Sequence, residues 1–176
     1  MSVDKWISNG KLFADRIIVI GAPGSGKTFL SERLAPYFDG PVIHIDQILW
    51  EDDKISLSDE ELQRKLDAII KKQKWLIDGT YLRILPERIS RASLIIYLDL
   101  PNEECIRGIN ERRKKTNIVH GCEDYEGFIN YVRKYDITSK PQIEKLISIY
   151  SETDIIRFSS RKQVNTFISE ISCGSL

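Results

Sequence analysis

The chain has 176 residues, 41% of them hydrophobic and 30% charged, ordinary usage for one globular domain with a single buried core and too short for two of usual size. Its 26 basic and 26 acidic residues balance to a formal net charge of zero, so no global field draws it to DNA, RNA or an anionic membrane. No apolar run approaches the roughly 18 residues that cross a bilayer, no basic-then-apolar leader opens the chain, and Cys105, Cys122 and Cys173 form no C-x-x-C pair, so the expectation is a cytoplasmic protein with reduced thiols.

Short apolar runs alternate with segments of helical period, the pattern of βαβ units and a parallel sheet. The first strand is Arg16-Ile17-Ile18-Val19-Ile20, an unbroken apolar run of the kind buried on both faces of such a sheet. A glycine-rich turn ends it, and a helix follows with Leu30, Leu34 and Phe38 on one face, stopping near Pro36 to Gly40. The second strand is Val42 to Ile45. Ser58 with Glu61 makes a capping box ahead of Leu62, Leu66, Ile69 and Ile70, the buried stripe of the next helix. The third strand is Trp75-Leu76-Ile77 and the fourth Leu94-Ile95-Ile96-Tyr97-Leu98. Asn102-Glu103-Glu104 suits the start of a helix that runs to about Arg113 and ends on basic residues. After a polar loop come two helical patterns, one carrying Phe128, Val132 and Tyr135, the other opening at Pro141 and carrying Ile143, Leu146, Ile147 and Tyr150. The fifth strand is Ile155 to Phe158, and the closing helix starts at Ser160 with Val164, Phe167, Ile168 and Ile171 on one face. Five parallel strands with helices between them predict a three-layer α/β sandwich, with ligands at the carboxyl ends of the strands.

Directly after the first strand stands Gly21-Ala22-Pro23-Gly24-Ser25-Gly26-Lys27-Thr28, which satisfies G-x-x-x-x-G-K-[ST] at every fixed position. Glycines let the backbone curl around a triphosphate and aim successive N–H groups at its oxygens, where a Cβ would obstruct. The helix beginning near Lys27 adds the positive end of its dipole. In such a cradle Lys27 bridges β- and γ-phosphates and the Thr28 hydroxyl is a ligand for Mg²⁺.

A phosphate cradle of this kind needs a carboxylate at a neighbouring strand end to hold the metal, directly or through water. Asp46, Asp78 and Asp99 stand at strand ends. Asp78 follows an apolar run and precedes Gly79, the pattern that suits the metal; Asp99 precedes Pro101 and reads as a turn residue. Asp46, closing Val42-Ile43-His44-Ile45-Asp46, can orient or deprotonate an acceptor hydroxyl, assist the metal, or simply make a turn. His44, inside an apolar strand, reads as a core histidine. Cations that meet charge developing on a transferring phosphoryl group are available in Arg107, Arg112, Arg113, Lys114 and Lys115 at one helix end, with Arg133 across the loop; a solvated helix terminus accounts for some of them. Arg83 and Arg88 can bind an anionic acceptor or serve as surface charges.

With these residues in order, the chain resembles the adenylate-kinase-like P-loop kinases, and more closely the DNA topology modulation proteins. The resemblance rests on Gly21 to Thr28, on Val42 to Asp46 with Leu49-Trp50 beyond, on Trp75-Leu76-Ile77-Asp78-Gly79-Thr80-Tyr81 with Arg83, and on Leu94 to Asp99 with the arginines that follow. It implies an adenylate-kinase-like strand order, ATP as donor, Mg²⁺ held by Thr28 and Asp78, and an arginine-bearing lid near residues 114–127 in a domain of residues 15–176, preceded by an extension of residues 1–14. Within that frame Lys27, Asp46, Asp78, Arg112 and Arg133 are the catalytic candidates, Gly21 to Thr28 and Arg107 hold nucleotide, and Asp46 and Arg83 hold acceptor. Where adenylate kinases continue Phe-Pro-Arg after the Asp-Gly pair, this chain reads Thr80-Tyr81-Leu82-Arg83, which argues against a nucleoside monophosphate acceptor. The lid has only Cys122, so a zinc-bound lid is not expected. The expected partners are a nucleoside triphosphate and a small-molecule acceptor. The alternative is a regulatory ATPase or DNA-associated protein that uses nucleotide as a switch, for which no helix-turn-helix, zinc finger or RNA-binding strand motif is present.

Overall fold

The computed structural model describes residues 6–8, 11–51, 55–116 and 124–173. β1 (Ile7–Ser8) and β2 (Lys11–Leu12) pair antiparallel, and Leu12 and Ala14, within the expected extension, are buried in the main core. β3 (Arg16–Gly21) leads through the glycine turn into α1 (Lys27–Leu34), which tightens into a 3₁₀ turn at Ala35–Tyr37. β4 (Val42–His44) runs into α2 (Ile45–Leu49), and β5 (Trp50–Glu51) pairs antiparallel with β6 (Ile55–Ser56). α3 (Asp59–Ile70) and β7 (Trp75–Asp78) follow, then a 3₁₀ turn at Leu82–Ile84, α4 (Leu85–Ile89) and β8 (Leu94–Leu98). The rest is α5 (Asn102–Thr116), α6 (Tyr125–Arg133), α7 (Tyr135–Thr138), α8 (Lys140–Ile149), β9 (Asp154–Phe158) and α9 (Arg161–Cys173).

The five expected strands form one parallel sheet in the order β4-β7-β3-β8-β9. The three central strands are buried along their whole length except at Arg16, which is why they read as continuous apolar runs rather than alternating ones. α1 packs on β3, β4 and β7 and meets α9, which lies on β9; α4 meets α8. The core is a single cluster that includes Ile17 to Ile20, Trp75 to Ile77 and Leu94 to Leu98. The capping box forms: the Ser58 hydroxyl accepts from the Glu61 amide, and Glu61 accepts from the Ser58 amide at 2.9 Å.

Two expectations are corrected. Strand two ends at His44, not Ile45, and Asp46 lies in the first turn of a short helix rather than at a strand end. The ladder stops because Gly79, at φ 122, turns the neighbouring strand away, and Ile45 fills the space where a Gly79 Cβ would sit, 2.9 Å off. Tyr135 does not continue the helix of Phe128 and Val132; the chain leaves helical geometry at Lys134 (φ −95, ψ 2) and restarts as α7. Half of the expected lid, residues 117–123, lies outside the described residues, together with Cys122. No described helix is long and apolar enough to cross a membrane.

Candidate active site

Three glycines of the phosphate loop have positive φ, Gly21 at 152, Gly24 at 77 and Gly26 at 97. A Cβ on Gly21 would meet the Leu98 carbonyl at 2.6 Å, and one on Gly24 the Cys105 carbonyl at 2.2 Å, so β8 and α5 press the loop into shape from below. At Gly26 the nearest atom is 3.8 Å away, Nη1 of Arg161, so this glycine opens onto space. No side chain caps α1 and its first turn has no acidic residue, whereas α3 has both a cap and three acidic residues there. The first-turn amides of α1 therefore face the opening with their dipole uncompensated. The Ser25 hydroxyl is buried without a hydrogen-bond partner among the described residues. A cradle with an uncapped helix end, an orphaned hydroxyl and glycine clearance fits a bound phosphate chain.

The Lys27 ammonium donates to the carbonyls of Gly21 at 3.0 Å and Ala22 at 2.9 Å. Burial lowers its pKa, while Asp46 and Asp78, both close enough to act on it, pull the other way. Asp78 is 2% exposed and contacts Nδ1 of His44, itself 13% exposed, at 2.5 Å. Burial raises the Asp78 pKa, and His44, Lys27 and Ser31 counter it. Asp46 is exposed and accepts the Tyr81 hydroxyl at 2.7 Å. Lys27, Asp46 and Asp78 thus share one neighbourhood at the carboxyl ends of β3, β4 and β7. Among the described residues no three His, Cys, Asp or Glu side chains stand together, so a divalent ion here would draw most of its ligands from phosphate and water, with Thr28 and Asp78 as the protein's donors.

The turn after β7 is built around an arginine whose role the sequence leaves open. Arg88 is 1% exposed, neither a surface charge nor available to an acceptor. Its Nε donates to the Ile84 carbonyl at 3.2 Å, Nη1 to Gly79 at 2.6 Å, and Nη2 to Thr80 at 2.5 Å and Tyr81 at 3.4 Å. Burial pushes its pKa down to about 9, which leaves it charged at neutral pH. Arg83, by contrast, is 86% exposed and pairs with Asp59 at 2.8 Å. Asp99 pairs with Lys140 at 2.6 Å and Arg157 at 3.1 Å, tying β8 to α8 and β9.

Arg107, Arg112 and Arg133 are exposed on α5 and α6. The two helices are joined by Arg113, stacked 4.0 Å above the Tyr125 ring, by a Tyr125–Asn110 hydrogen bond, and by Asn102, whose Nδ2 donates to the Arg133 carbonyl at 3.0 Å. Arg133 also bonds Asn130 at 2.8 Å. The sequence reading missed four contacts: His44 on Asp78, Tyr81 on Asp46, Arg88 on its turn, and Arg161, whose Nη2 donates to the carbonyls of Gly24 at 2.9 Å and Glu104 at 3.0 Å. Arg88 lies close to its turn in the chain but looks like Arg83 in the sequence, and the others join residues far apart.

A family model described as an AAA domain matches residues 17–128. No curated protein matches the chain. Among solved structures, a shikimate kinase from Bacteroides thetaiotaomicron is similar at 17% identity and a TM-score of 0.59, over 90% of this chain and 97% of that one. Shikimate kinase from Acinetobacter baumannii, in complex with shikimate, is similar at 15% identity and 0.60, over 93% and 96%. A chain of the Pnkp1/Rnl/Hen1 RNA repair complex is similar at 21% and 0.53, over 73% of this chain and 45% of that one. Identities this low establish the fold, a five-stranded P-loop kinase fold, and leave the substrate open.

Proposed function

The chain belongs to the AAA domain family, and from that premise we propose that it transfers the terminal phosphoryl group of ATP to a hydroxyl of a small acceptor. The observation that carries this reading is the grouping of Lys27, Asp46 and Asp78 around an uncapped helix end. The loop amides and Lys27 bind the phosphate chain, and Lys27 exchanges its loop carbonyls for phosphate oxygens. Thr28 and Asp78 would hold Mg²⁺, which when bound supplies neutralisation of charge on the phosphates. Asp46, held through one oxygen by Tyr81, receives the acceptor's proton as its oxygen bonds to phosphorus and the bond to ADP breaks. In this reading Arg107 would meet nucleotide, and Arg112 and Arg133, on helices joined to each other, would meet the transferring group; Arg83 would reach an acceptor only by leaving Asp59.

Lys27→Ala is expected to lower transfer about 100-fold or more with the circular dichroism spectrum unchanged, in an assay of ATP depletion across a pool of metabolites. Transfer at the wild-type rate removes the assignment. The finer resemblance to the DNA topology modulation proteins supports a second reading, nucleotide as a switch on DNA. The zero net charge weighs against it, and a gel-shift titration with duplex DNA at low salt decides: no shift removes it.

A further inference from the structure

The phosphate loop and the turn after β7 meet at one side chain that neither motif accounts for. The Thr80 hydroxyl donates to the Gly21 carbonyl at 2.7 Å and accepts from the Gly21 amide at 3.0 Å. The same Gly21 carbonyl also accepts from Lys27 at 3.0 Å, so both of its lone pairs are occupied. Gly21 is buried, and its Cβ position is blocked by the Leu98 carbonyl, so the peptide has little room to turn toward another partner. On the other side, the Thr80 carbonyl is held by Arg88 at 2.5 Å. The next residue is Tyr81, at φ 33, the one described non-glycine residue with positive φ, whose hydroxyl holds Asp46. The Tyr135 hydroxyl, on the helix after α6, is buried and lies close to the Thr80 hydroxyl.

The Lys27 ammonium has three N–H donors and uses two on loop carbonyls, so bridging the β- and γ-phosphates takes at least one of those carbonyls away from it. When it moves to phosphate, the Ala22 carbonyl still accepts from the Ser25 amide at 3.2 Å, whereas among the described residues the buried Gly21 carbonyl keeps a donor through Thr80. We infer that Thr80 is a positioning residue that holds the Gly21 peptide while Lys27 changes partners, and that it links occupancy of the phosphate loop to the Tyr81–Asp46 side of the site. This rests on the nucleotide-binding reading of the loop. The hydroxyl matters more in the bound state than in the free one, because in the free protein Lys27 still covers the carbonyl. Its loss therefore weakens binding rather than only lowering stability, since a buried carbonyl left unpaired in one state alone shifts the equilibrium toward the other. By reciprocity, an acceptor that orders the Thr80–Tyr81 turn tightens Mg·ATP.

The test is calorimetric titration of the full chain with Mg·ATP, paired with thermal melting, for the wild type, Thr80→Val, Thr80→Ala and Thr80→Ser. Valine keeps the shape and removes the hydroxyl; serine keeps the hydroxyl. The expected result is a dissociation constant raised about tenfold in Thr80→Val and Thr80→Ala, the factor set by one unpaired buried carbonyl, and within about threefold of wild type in Thr80→Ser. A lower melting temperature with an unchanged dissociation constant in either hydroxyl-free variant overturns the inference, as does a serine variant as weak as valine. Failure of both hydroxyl-free variants to fold overturns it too, because Thr80 is then scaffold. A wild-type protein that does not bind Mg·ATP sinks the nucleotide reading itself, a result distinct from wild-type binding that Thr80 does not affect.

Discussion

The phosphate loop at Gly21 to Gly26 and the turn at Gly79 to Ile84 leave the carboxyl ends of adjacent strands, and both bend the backbone into positive φ, yet they are stabilised in opposite ways. The first uses three glycines, each free of a Cβ, and leaves the start of α1 without a side-chain cap and the buried Ser25 hydroxyl without a hydrogen-bond partner among the described residues. The second has one glycine and Tyr81, and is held by a buried guanidinium that takes up four carbonyls. A loop that must receive an anion keeps donors available; a loop that must present side chains keeps its backbone internally satisfied. Lys27 and Thr80 join the two at the Gly21 carbonyl.

That contrast is breakable by substitution. Arg88→Met removes a donor from four carbonyls, of which that of Tyr81 keeps the Ile84 amide, and should destabilise the fold by about 3–5 kcal/mol in urea unfolding; a cost near zero means the turn is held by something else. Gly24→Ala forces a Cβ against the Cys105 carbonyl as well as a positive φ and should cost about 2–4 kcal/mol. Thiol labelling reads the same change: burial pushes Cys105 up to about 11, so at pH 8 it should resist alkylation while exposed Cys173 reacts, and in the Gly24→Ala protein it should become reactive as α5 is displaced. Gly26→Ala has open space and should cost only about 1 kcal/mol of stability, with a larger loss in Mg·ATP affinity, because its methyl group enters the cradle. Arg83→Ala breaks an exposed pair and should change stability by less than about 0.5 kcal/mol; a drop in transfer rate without that stability change identifies it as an acceptor contact.

Much of the fold is legible because the signals are local. Ile17 to Ile20 or Leu94 to Leu98 can be nothing but buried strand when bounded by turn residues, and Ser58 with Glu61 makes its cap within one helical turn. The phosphate loop is legible for the same reason: eight consecutive residues contain its glycines, lysine and threonine. The ends of elements are less so. Asp46 passes from strand to helix because Ile45 fills the space beside Gly79, a contact 34 residues away in the chain.

The sequence by itself determined the five strands of the parallel sheet and the place of the glycine turn between the first strand and its helix, since each depends on neighbours within a few positions. Only the tertiary structure decided which charges are available. Arg88 and Arg83 are five residues apart and look alike in the sequence, yet one is enclosed by carbonyls and the other stands in water. His44 reaches Asp78 and Arg161 reaches Gly24 across strands and helices that meet only on folding. A side chain's chemistry is written in its type, but its desolvation and its partners depend on long-range packing, and those set whether it binds, positions or merely holds.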